Sequence, residues 1–212
     1  QSAVRRYSLA PRAASDVGTS NFITDTGKYV GRFVRAEAKI SKQQTDGIEL
    51  DFVADDGRRA NFLSLWTYTR DGKETYGLKV LSAILACLRL RGIQGGQIHF
   101  KDRDGRPVTG DGFPDLMGKP IGLLLQRENF TKDDGSPGYK FNIFAPFDAK
   151  SELTASEILN KAQKPEHRDG LAAGLTDRAP RNATQAGGHS GARDYATASG
   201  GREPGSDDDI SW

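Results

Sequence analysis

Residues 28–70, KYVGRFVRAEAKISKQQTDGIELDFVADDGRRANFLSLWTYTR, decide the predicted fold. Apolar and polar residues alternate through three parts of this stretch, 28–42, 47–54 and 58–70, and such alternation is typical of half-buried β-strands. Asp46-Gly47 and Asp56-Gly57 mark the junctions between the three parts, and further Asp-Gly pairs occur at Asp71-Gly72, Asp104-Gly105 and Asp134-Gly135. Asp-Gly pairs favour tight hairpin turns because glycine readily adopts a positive φ. The stretch therefore predicts three consecutive strands joined by hairpins.

The same alternation divides each predicted strand into two faces. In the first strand, one face carries the aliphatic residues Val30, Val34, Ala36, Ala38 and Ile40, and the other carries Tyr29, Phe33, Arg35 and Lys39. The second strand turns Ile48, Leu50 and Phe52 inward. The third has Leu63 and Leu65 on one face and Phe62, Trp66 and Tyr68 on the other. Aromatic and cationic side chains are thus expected to share one side of the sheet.

After this stretch the periodicity changes. Apolar residues recur at helical spacing through residues 76–92, and Gly92 suits the C-cap of a helix. Residues 97–100 form a possible short strand, and 119–130 and 138–147 are two further predicted strands. The main elements are therefore three strands, one helix and two strands.

This order of elements is that of the oligonucleotide/oligosaccharide-binding (OB) fold, a five-stranded Greek-key barrel. In that fold the helix lies between the third and fourth strands. We therefore predict a mainly β protein with a five-stranded OB barrel over residues 27–148. Other small barrels and α+β sheets share this order, so they stay open as alternatives.

Four segments lie outside the predicted barrel. Residues 1–26 are small, polar and mildly basic, which is typical of a flexible arm. Residues 151–163 predict a short helix, since Thr154 and Glu157 have the spacing of a capping box. Residues 164–206 are rich in Gly, Ala, Ser and Thr and have too little to bury to offset the entropy of ordering, so they predict a disordered linker. Residues 207–212 form an acidic tip.

Composition limits the classes of function. The formal net charge of +2 over 212 residues excludes no partner, and no apolar run approaches the length of a membrane span. The single cysteine, Cys87, rules out an internal disulfide, and with three scattered histidines it argues against a zinc site. We expect a protein of a reducing cytoplasm, with no cofactor and no membrane partner.

Exposed aromatics interleaved with cations are typical of proteins that bind single-stranded nucleic acid. Bases stack on aromatic rings at about 1–3 kcal/mol each, and cations follow the phosphates, so binding tolerates any sequence. Any one aromatic residue could instead belong to the core, because the pattern does not determine which face is inside. The residues predicted to contact DNA are Phe33, Arg35, Lys39, Lys42, Phe62, Trp66, Tyr68, Arg70, Lys73, Lys132 and Lys140.

Paired acids on the predicted strands open an enzymatic alternative. Glu37, Glu49 and Asp51 would be the metal ligands of a small metal-dependent nuclease. Acids that alternate outward along a strand are more often a solvated face. Residues 101–115 hold several acids but lack the spacing of a calcium-binding loop, and we expect a turn-rich loop there. The sequence contains no recognisable set of catalytic residues, so we do not predict an enzyme.

The last six residues combine charge with apolar bulk. Acids suit a basic groove on a partner protein, and a neighbouring isoleucine and tryptophan suit an apolar pocket beside that groove. A long flexible linker would let such a peptide reach partners tens of ångströms away. The predicted partner-binding residues are Asp207, Asp208, Asp209, Ile210, Ser211 and Trp212.

The predicted layout resembles that of bacterial and phage single-stranded DNA-binding proteins. These proteins have an OB domain, a Gly-rich linker and an acidic tip, and the bacterial tip reads Asp-Asp-Asp-Ile-Pro-Phe. Residues 207–212 match it at four positions, with serine for proline and tryptophan for phenylalanine. Residues 22–148, with NFLSLWTYT before a leucine-rich helix, are more similar to compact phage-encoded OB proteins.

The resemblance implies a phage or prophage single-stranded DNA-binding protein of the bacterial host cytoplasm and is compatible with a homo-oligomer. The family implies that the tip recruits proteins of DNA replication, recombination and repair. A recombination accessory protein, with weak DNA binding and the same tip, is the first alternative. The metal-dependent nuclease is the second.

Overall fold

The computed structural model describes residues 21–102 and 104–179, together with Ser8. Within this part of the chain the fold is mainly β, as predicted, with an antiparallel sheet and few helices. The strands are β1 (Gly27–Ile40), β2 (Asp46–Ala54), β3 (Arg59–Tyr68), β4 (Gly96–Lys101), β5 (Pro107–Gly112), β6 (Pro120–Thr131) and β7 (Pro137–Phe147). The helices are α1 (Tyr76–Cys87), α2 (Ala155–Leu159) and α3 (His167–Ala173), with a 3-10 turn at Pro114–Leu116.

The long strand β1 organises the sheet. Its first half pairs with β6, its second half pairs with β2, and Glu37 pairs with Gly112 of β5. The sheet therefore has seven strands, in the order β3-β2-β1-β5-β4, with β6 also paired to β1 and β7 paired to β6. Strand β3 contacts β7, but no hydrogen-bonded ladder joins these two strands among the described residues. The sheet is open, and the prediction of five strands left out β5 and treated β4 only as a possible strand.

The core lies between the inner face of the sheet and α1. The residues assigned inward in β2 and β3 are buried, as the alternation predicted: Ile48, Leu50, Phe52, Leu63 and Leu65. Helix α1 adds Val80, Leu81, Ile84 and Cys87 to the same core. Burial raises the pKa of Cys87 to about 12, so this thiol stays protonated and unreactive near neutral pH.

Helix α1 ends earlier than predicted. Its last residue is Cys87, and Arg89 rather than Gly92 adopts the positive φ, 58°, that follows the helix. The backbone N–H of Leu90 then donates to the carbonyl oxygen of Leu85. This closure satisfies a carbonyl of the last turn, as a C-terminal glycine ordinarily would.

The faces predicted for β1 are partly wrong. A β-bulge interrupts its register with β2 between Phe33 and Arg35, and one extra residue reverses the side on which the following side chains lie. Phe33 and Ala36 are therefore both fully buried, and Phe33 packs edge to face on Phe52 at 6.0 Å between ring centres. Ile40, predicted to face inward, has 66% of its surface exposed.

The turns follow the Asp-Gly pairs with one exception. Gly57, Gly72, Gly105 and Gly135 all adopt a positive φ. Gly47 lies inside β2, and Gln44 adopts the positive φ of that hairpin, at 59°. Residues 101–115, predicted as a loop, contain β5, which pairs with β4 along its whole length. The possible strand at 97–100 is β4.

Three predicted boundaries also change. Residues 21–26 are not a loose arm, because Ile23 is buried and its N–H donates to the carbonyl oxygen of Arg59. The helix predicted at 151–163 is α2, Ala155–Leu159, where the Glu157 carboxylate accepts from the Thr154 N–H as a capping box requires. Residues 164–179, predicted as linker, include α3, and the Arg178 N–H donates to the carbonyl oxygen of Arg127. The rest of the predicted linker and the tip lie outside the described residues.

Within residues 21–102 and 104–179, no helix has the length and apolar character required to cross a bilayer.

Candidate nucleic-acid interface

The outer face of β1, β2 and β3 presents its side chains in three rows across the strands. The first row holds Arg35, Asp51 and Phe62, the second Glu37, Glu49 and Ser64, and the third Lys39, Gly47 and Trp66. Paired strands lie about 4.8 Å apart, so the members of each row are neighbours. Aromatic rings therefore occur in the first and third rows, with two acids between them.

Arg35 anchors the first row. Its side chain is only 6% exposed, and it donates two hydrogen bonds to Asp51, Nε to Oδ2 at 2.7 Å and Nη2 to Oδ1 at 2.9 Å. Its Nη1 donates to both Glu37 and Glu49. Burial alone would lower the pKa of Arg35, but the hydrogen bonds and charge of these three carboxylates outweigh burial and raise it. The guanidinium is therefore a permanent cation inside the sheet face.

Phe62 is held in an unusual backbone conformation. Its φ is +60°, a value that bulky residues rarely adopt, and its N–H donates to Asp51 Oδ1 at 2.9 Å. The ring is 60% exposed and lies over the Arg35 guanidinium, with 5.4 Å between Cζ and the ring centre. Strained residues persist where their surroundings hold them, and they concentrate at functional sites. The strain here presents an aromatic ring to solvent.

A groove of about 1100 Å³ opens beside Phe62. The β4–β5 hairpin supplies His99, Phe100 and Lys101 to it, and β7 supplies Tyr139 and Lys140. The Phe100 ring lies 5.5 Å from Arg35 Cζ, so one guanidinium supports both Phe62 and Phe100. The aromatic residues that line the groove are Phe22, Phe62, Phe100, Tyr139 and Phe141.

The groove has more cations than anions. Its lining includes four arginine or lysine side chains and two carboxylates, namely Arg35, Arg59, Lys101 and Lys140 against Asp51 and Asp102. Arg35 and Asp51 neutralise one another. Neither Arg59 nor Lys101 has an ion-pair partner among the described residues, whereas Lys140 lies 3.5 Å from Glu128. Two exposed cations are thus available for an anionic ligand.

A second aromatic cluster lies at the opposite end of β3. Trp66 and Tyr68 are each 38% exposed, and a Cβ on Gly47 would lie 2.5 Å from the Trp66 ring. The indole therefore lies directly over the Gly47 backbone, a position that any side chain there would block. Asp46 pairs with Tyr68, so the hairpin turn before β2 and the loop after β3 leave the same end of the sheet. These two turns carry the exposed cations Lys42, Arg70 and Lys73.

The structure distributes the predicted site residues over four places. Phe62 and Lys140 line the groove, and Lys39, Lys42, Trp66, Tyr68, Arg70 and Lys73 surround the second cluster. Lys132 is exposed in the β6–β7 turn, outside the groove. Phe33 belongs to the core, and Arg35, although it lines the groove, is buried among carboxylates, so neither side chain lies at the exposed surface where DNA contact was predicted.

Sequence reasoning missed most of the groove. Phe22, Arg59, Phe100, Lys101 and Tyr139 were not predicted as site residues, although they line it. Tyr139 is held in place by Arg127, whose Cζ lies 4.4 Å from its ring centre. Phe22 precedes β1, Arg59 belongs to β3, Phe100 and Lys101 belong to β4, and Tyr139 belongs to β7. Tyr139 directly precedes the predicted Lys140, but alternation places adjacent side chains of a strand on opposite faces, so no signal in the sequence joined the two.

The acids of the nuclease alternative already have cationic partners. Glu37, Glu49 and Asp51 converge on Arg35, and Lys39 Nζ lies 2.8 Å from Glu37 Oε1. Burial favours a higher pKa for Glu37, but hydrogen bonds from Lys39 and Arg35 lower it. No group of three or more residues suited to hold a metal ion occurs in the described part of the chain. The geometry of these acids does not favour the nuclease hypothesis.

Comparisons with models of protein families and with curated proteins found no match to this chain.

Proposed function

We propose that this protein binds single-stranded DNA, with little sequence preference, in the groove beside Phe62. The observation that carries the proposal is the exposed Phe62, held at positive φ over a groove lined with further aromatics and exposed cations. Unpaired bases expose ring faces that stack on such side chains, and phosphates are attracted to the neighbouring lysine and arginine. In a duplex the bases are stacked on one another and cannot reach these rings.

The topology supports a finer proposal about the fold. Strand β1 pairs with both β2 and β6, α1 follows β3, and β3 contacts β7 on the far side. These relations agree with an OB-type arrangement in which β1, β2, β3, β6 and β7 are the five principal strands. The β4–β5 hairpin would then be an insertion between the helix and the fourth strand, and it supplies one wall of the groove.

We further propose that residues 207–212 recruit proteins of DNA replication, recombination or repair. Support comes from the composition of this segment, three aspartates beside an isoleucine and a tryptophan, and from its similarity to the tips of single-stranded DNA-binding proteins. The groove would hold the strand while the tip attracts enzymes that act on it.

Fluorescence anisotropy tests the central proposal. A labelled single-stranded oligonucleotide of about 30 bases is titrated with the protein at several salt concentrations, with duplex of the same sequence as competitor. We expect tight, salt-sensitive binding that the duplex competes for weakly. Equal affinity for both, or no binding to either, would refute the proposal.

Two variants connect binding to the groove. Phe62→Leu keeps an apolar side chain but removes the ring, and we expect affinity to fall about tenfold. Leu159→Ala is the matched control, because Leu159 is 72% exposed and does not line the groove. Lys101→Gln should reduce the slope of log affinity against log salt by about 0.7, the value of one lost phosphate contact on a single strand. Lys150→Gln, an exposed lysine outside the groove, should leave that slope unchanged.

A further inference from the structure

The two aromatic clusters of β3 lie on the same face of the same strand. Phe62 at the groove and Trp66 at the opposite end are both exposed, and Leu63 and Leu65 between them point into the core. The two positions are four residue steps apart along the strand, which corresponds to about 13 Å of backbone. A nucleic acid strand that leaves the groove along β3 would therefore meet Trp66 next.

The middle row of the face does not favour phosphate. Glu37 and Glu49 lie side by side between the two clusters, and Ser64 is their neighbour on β3. Their side chains are 20% and 22% exposed, so part of each carboxylate faces solvent. Each acid gives one oxygen to Arg35, and Glu37 gives its other oxygen to Lys39, so three carboxylates face two cations and the row keeps a net negative charge. The row therefore repels the phosphate backbone of a nucleic acid strand that passes close to it. It separates two regions that favour nucleic acid, the groove and the Trp66 cluster.

The region around Trp66 and Tyr68 also carries positive charge that would attract the phosphates of a nucleic acid. Lys42, Arg70 and Lys73 are exposed in the two turns that flank Trp66 and Tyr68. None of the three has an ion-pair partner in the part of the chain that the structure describes. Cations beside exposed aromatic rings form the same combination that lines the groove.

We infer that single-stranded DNA occupies two stations on this face, first the groove at Phe62 and then the Trp66 cluster, and that only strands long enough to cross the acidic row engage both. This inference rests on the proposed function and adds the path and the length dependence of binding. A stacked strand advances about 3.4 Å per nucleotide, so crossing 13 Å takes roughly four nucleotides. Strands of about four nucleotides fill the groove alone, and strands of about twelve reach both stations.

Trp66 reports directly on the second station. The chain has two tryptophans, so the variant Trp212→Phe leaves Trp66 as the sole indole. This variant is titrated with thymidine oligonucleotides of about four and about twelve bases, and Trp66 fluorescence is followed to saturation. Binding of each oligonucleotide is measured separately by competition against a labelled strand. We expect both lengths to bind and only the longer one to quench Trp66.

Affinity gives a second and independent readout. Trp66→Leu should weaken binding of the longer oligonucleotide about tenfold and leave that of the shorter one unchanged. Phe62→Leu should weaken both, because both lengths occupy the groove. Urea unfolding of each variant checks that the fold is retained.

The possible outcomes separate this inference from the proposed function. Full quenching of Trp66 by the short oligonucleotide would overturn the two-station path, as would equal weakening of both lengths, or of neither, in Trp66→Leu. In these cases binding itself stands. Failure of both lengths and of the 30-base strand to bind would refute single-stranded DNA binding, and the two-station path with it.

Discussion

The guanidinium of Arg35 lies beneath the ring of Phe62, with 5.4 Å between Cζ and the ring centre, and Asp51 binds both residues. Asp51 accepts two hydrogen bonds from the Arg35 side chain and one from the Phe62 backbone N–H. One carboxylate therefore neutralises a buried cation and stabilises a strained backbone. The exposed ring at the groove depends on charges that are themselves buried.

Asp51→Asn is expected to be strongly destabilising. The amide nitrogen would face the guanidinium, and the negative charge that compensates Arg35 would be lost. Breaking a buried ion pair by removing one partner costs about 3–5 kcal/mol, and the 16% exposure of the Asp51 side chain places the expected loss near 3 kcal/mol. Urea unfolding of the variant measures it.

Asp56→Asn is the matched control for that measurement. Asp56 also accepts two hydrogen bonds from one arginine side chain, that of Arg58, but its side chain is 50% exposed. Exposed pairs contribute less than about 1 kcal/mol, so this variant should unfold almost like the wild type. Equal losses in the two variants would contradict the role assigned to Asp51.

The contrast between Arg35 and Leu50 illustrates what the sequence could predict. Leu50 follows a regular alternation of apolar and polar residues that is also seen in the sequences of both neighbouring strands, so its burial could be predicted. The face of Arg35 depends on a single-residue bulge, and Phe62 reaches its positive φ without glycine, so neither has a local signal. The groove could not be predicted from the sequence, for a different reason. Phe100 and Tyr139 come from strands far apart in the chain, and only the packed sheet brings them together.

Gly47→Ala is expected to displace the Trp66 indole. The added Cβ would lie 2.5 Å from the indole ring and 2.8 Å from the Leu65 carbonyl oxygen, closer than real contacts allow. The emission of Trp66 should shift to longer wavelength as its ring moves into water. If the second station exists, affinity for a long single strand falls while that for a short one does not. Fluorescence spectra and the anisotropy titrations above measure both effects.

Gly96→Ala is the matched control for Gly47→Ala. Gly96 also lies in a strand, but a Cβ there would meet only the Pro114 ring, at an ordinary 3.7 Å. We expect an unchanged Trp66 spectrum and unchanged affinities. Similar effects of the two alanines would mean that the indole does not depend on Gly47.

The stability of the domain should fall in acid partly through Glu157. Burial favours a higher pKa for this carboxyl, but backbone N–H groups of Glu166, Thr154 and His167 donate to it and lower its pKa to about 2. A carboxyl with a lowered pKa stabilises the fold fully above its unfolded value, here 4.5, and loses this effect as the pH falls towards 2. The contribution is about 3 kcal/mol at neutral pH.

Glu157→Gln isolates that contribution. The free energies of unfolding of variant and wild type should differ by about 3 kcal/mol at pH 7 and converge between about pH 4.5 and pH 2. Glu74→Gln, at an exposed glutamate, should stay within about 0.5 kcal/mol of wild type throughout. A difference for Glu157→Gln that does not change with pH would show that its effect is one of packing rather than charge.

Single-stranded DNA should remain intact when incubated with the protein and Mg²⁺ or Mn²⁺. The acids of the nuclease hypothesis are held in ion pairs by Arg35 and Lys39, which would compete with a metal ion for their oxygens. Gel electrophoresis of a labelled strand is the measurement, with EDTA as the control. Metal-dependent degradation that Glu49→Gln abolishes would establish the enzyme instead.

Removal of residues 207–212 should separate partner recruitment from DNA binding. The groove residues all lie within residues 22–141, so the shortened chain is expected to bind single-stranded DNA at least as tightly as the full chain. At low salt its affinity should rise slightly, because three aspartates no longer compete with phosphate for the cations of the face. Pull-down of host replication and recombination proteins should be lost together with the tip.

Trp212→Ala, which keeps the acids, distinguishes partner recruitment from competition with phosphate, since it should lose the partner without raising DNA affinity. A large loss of DNA affinity in the shortened chain would instead place the tip in the DNA site itself.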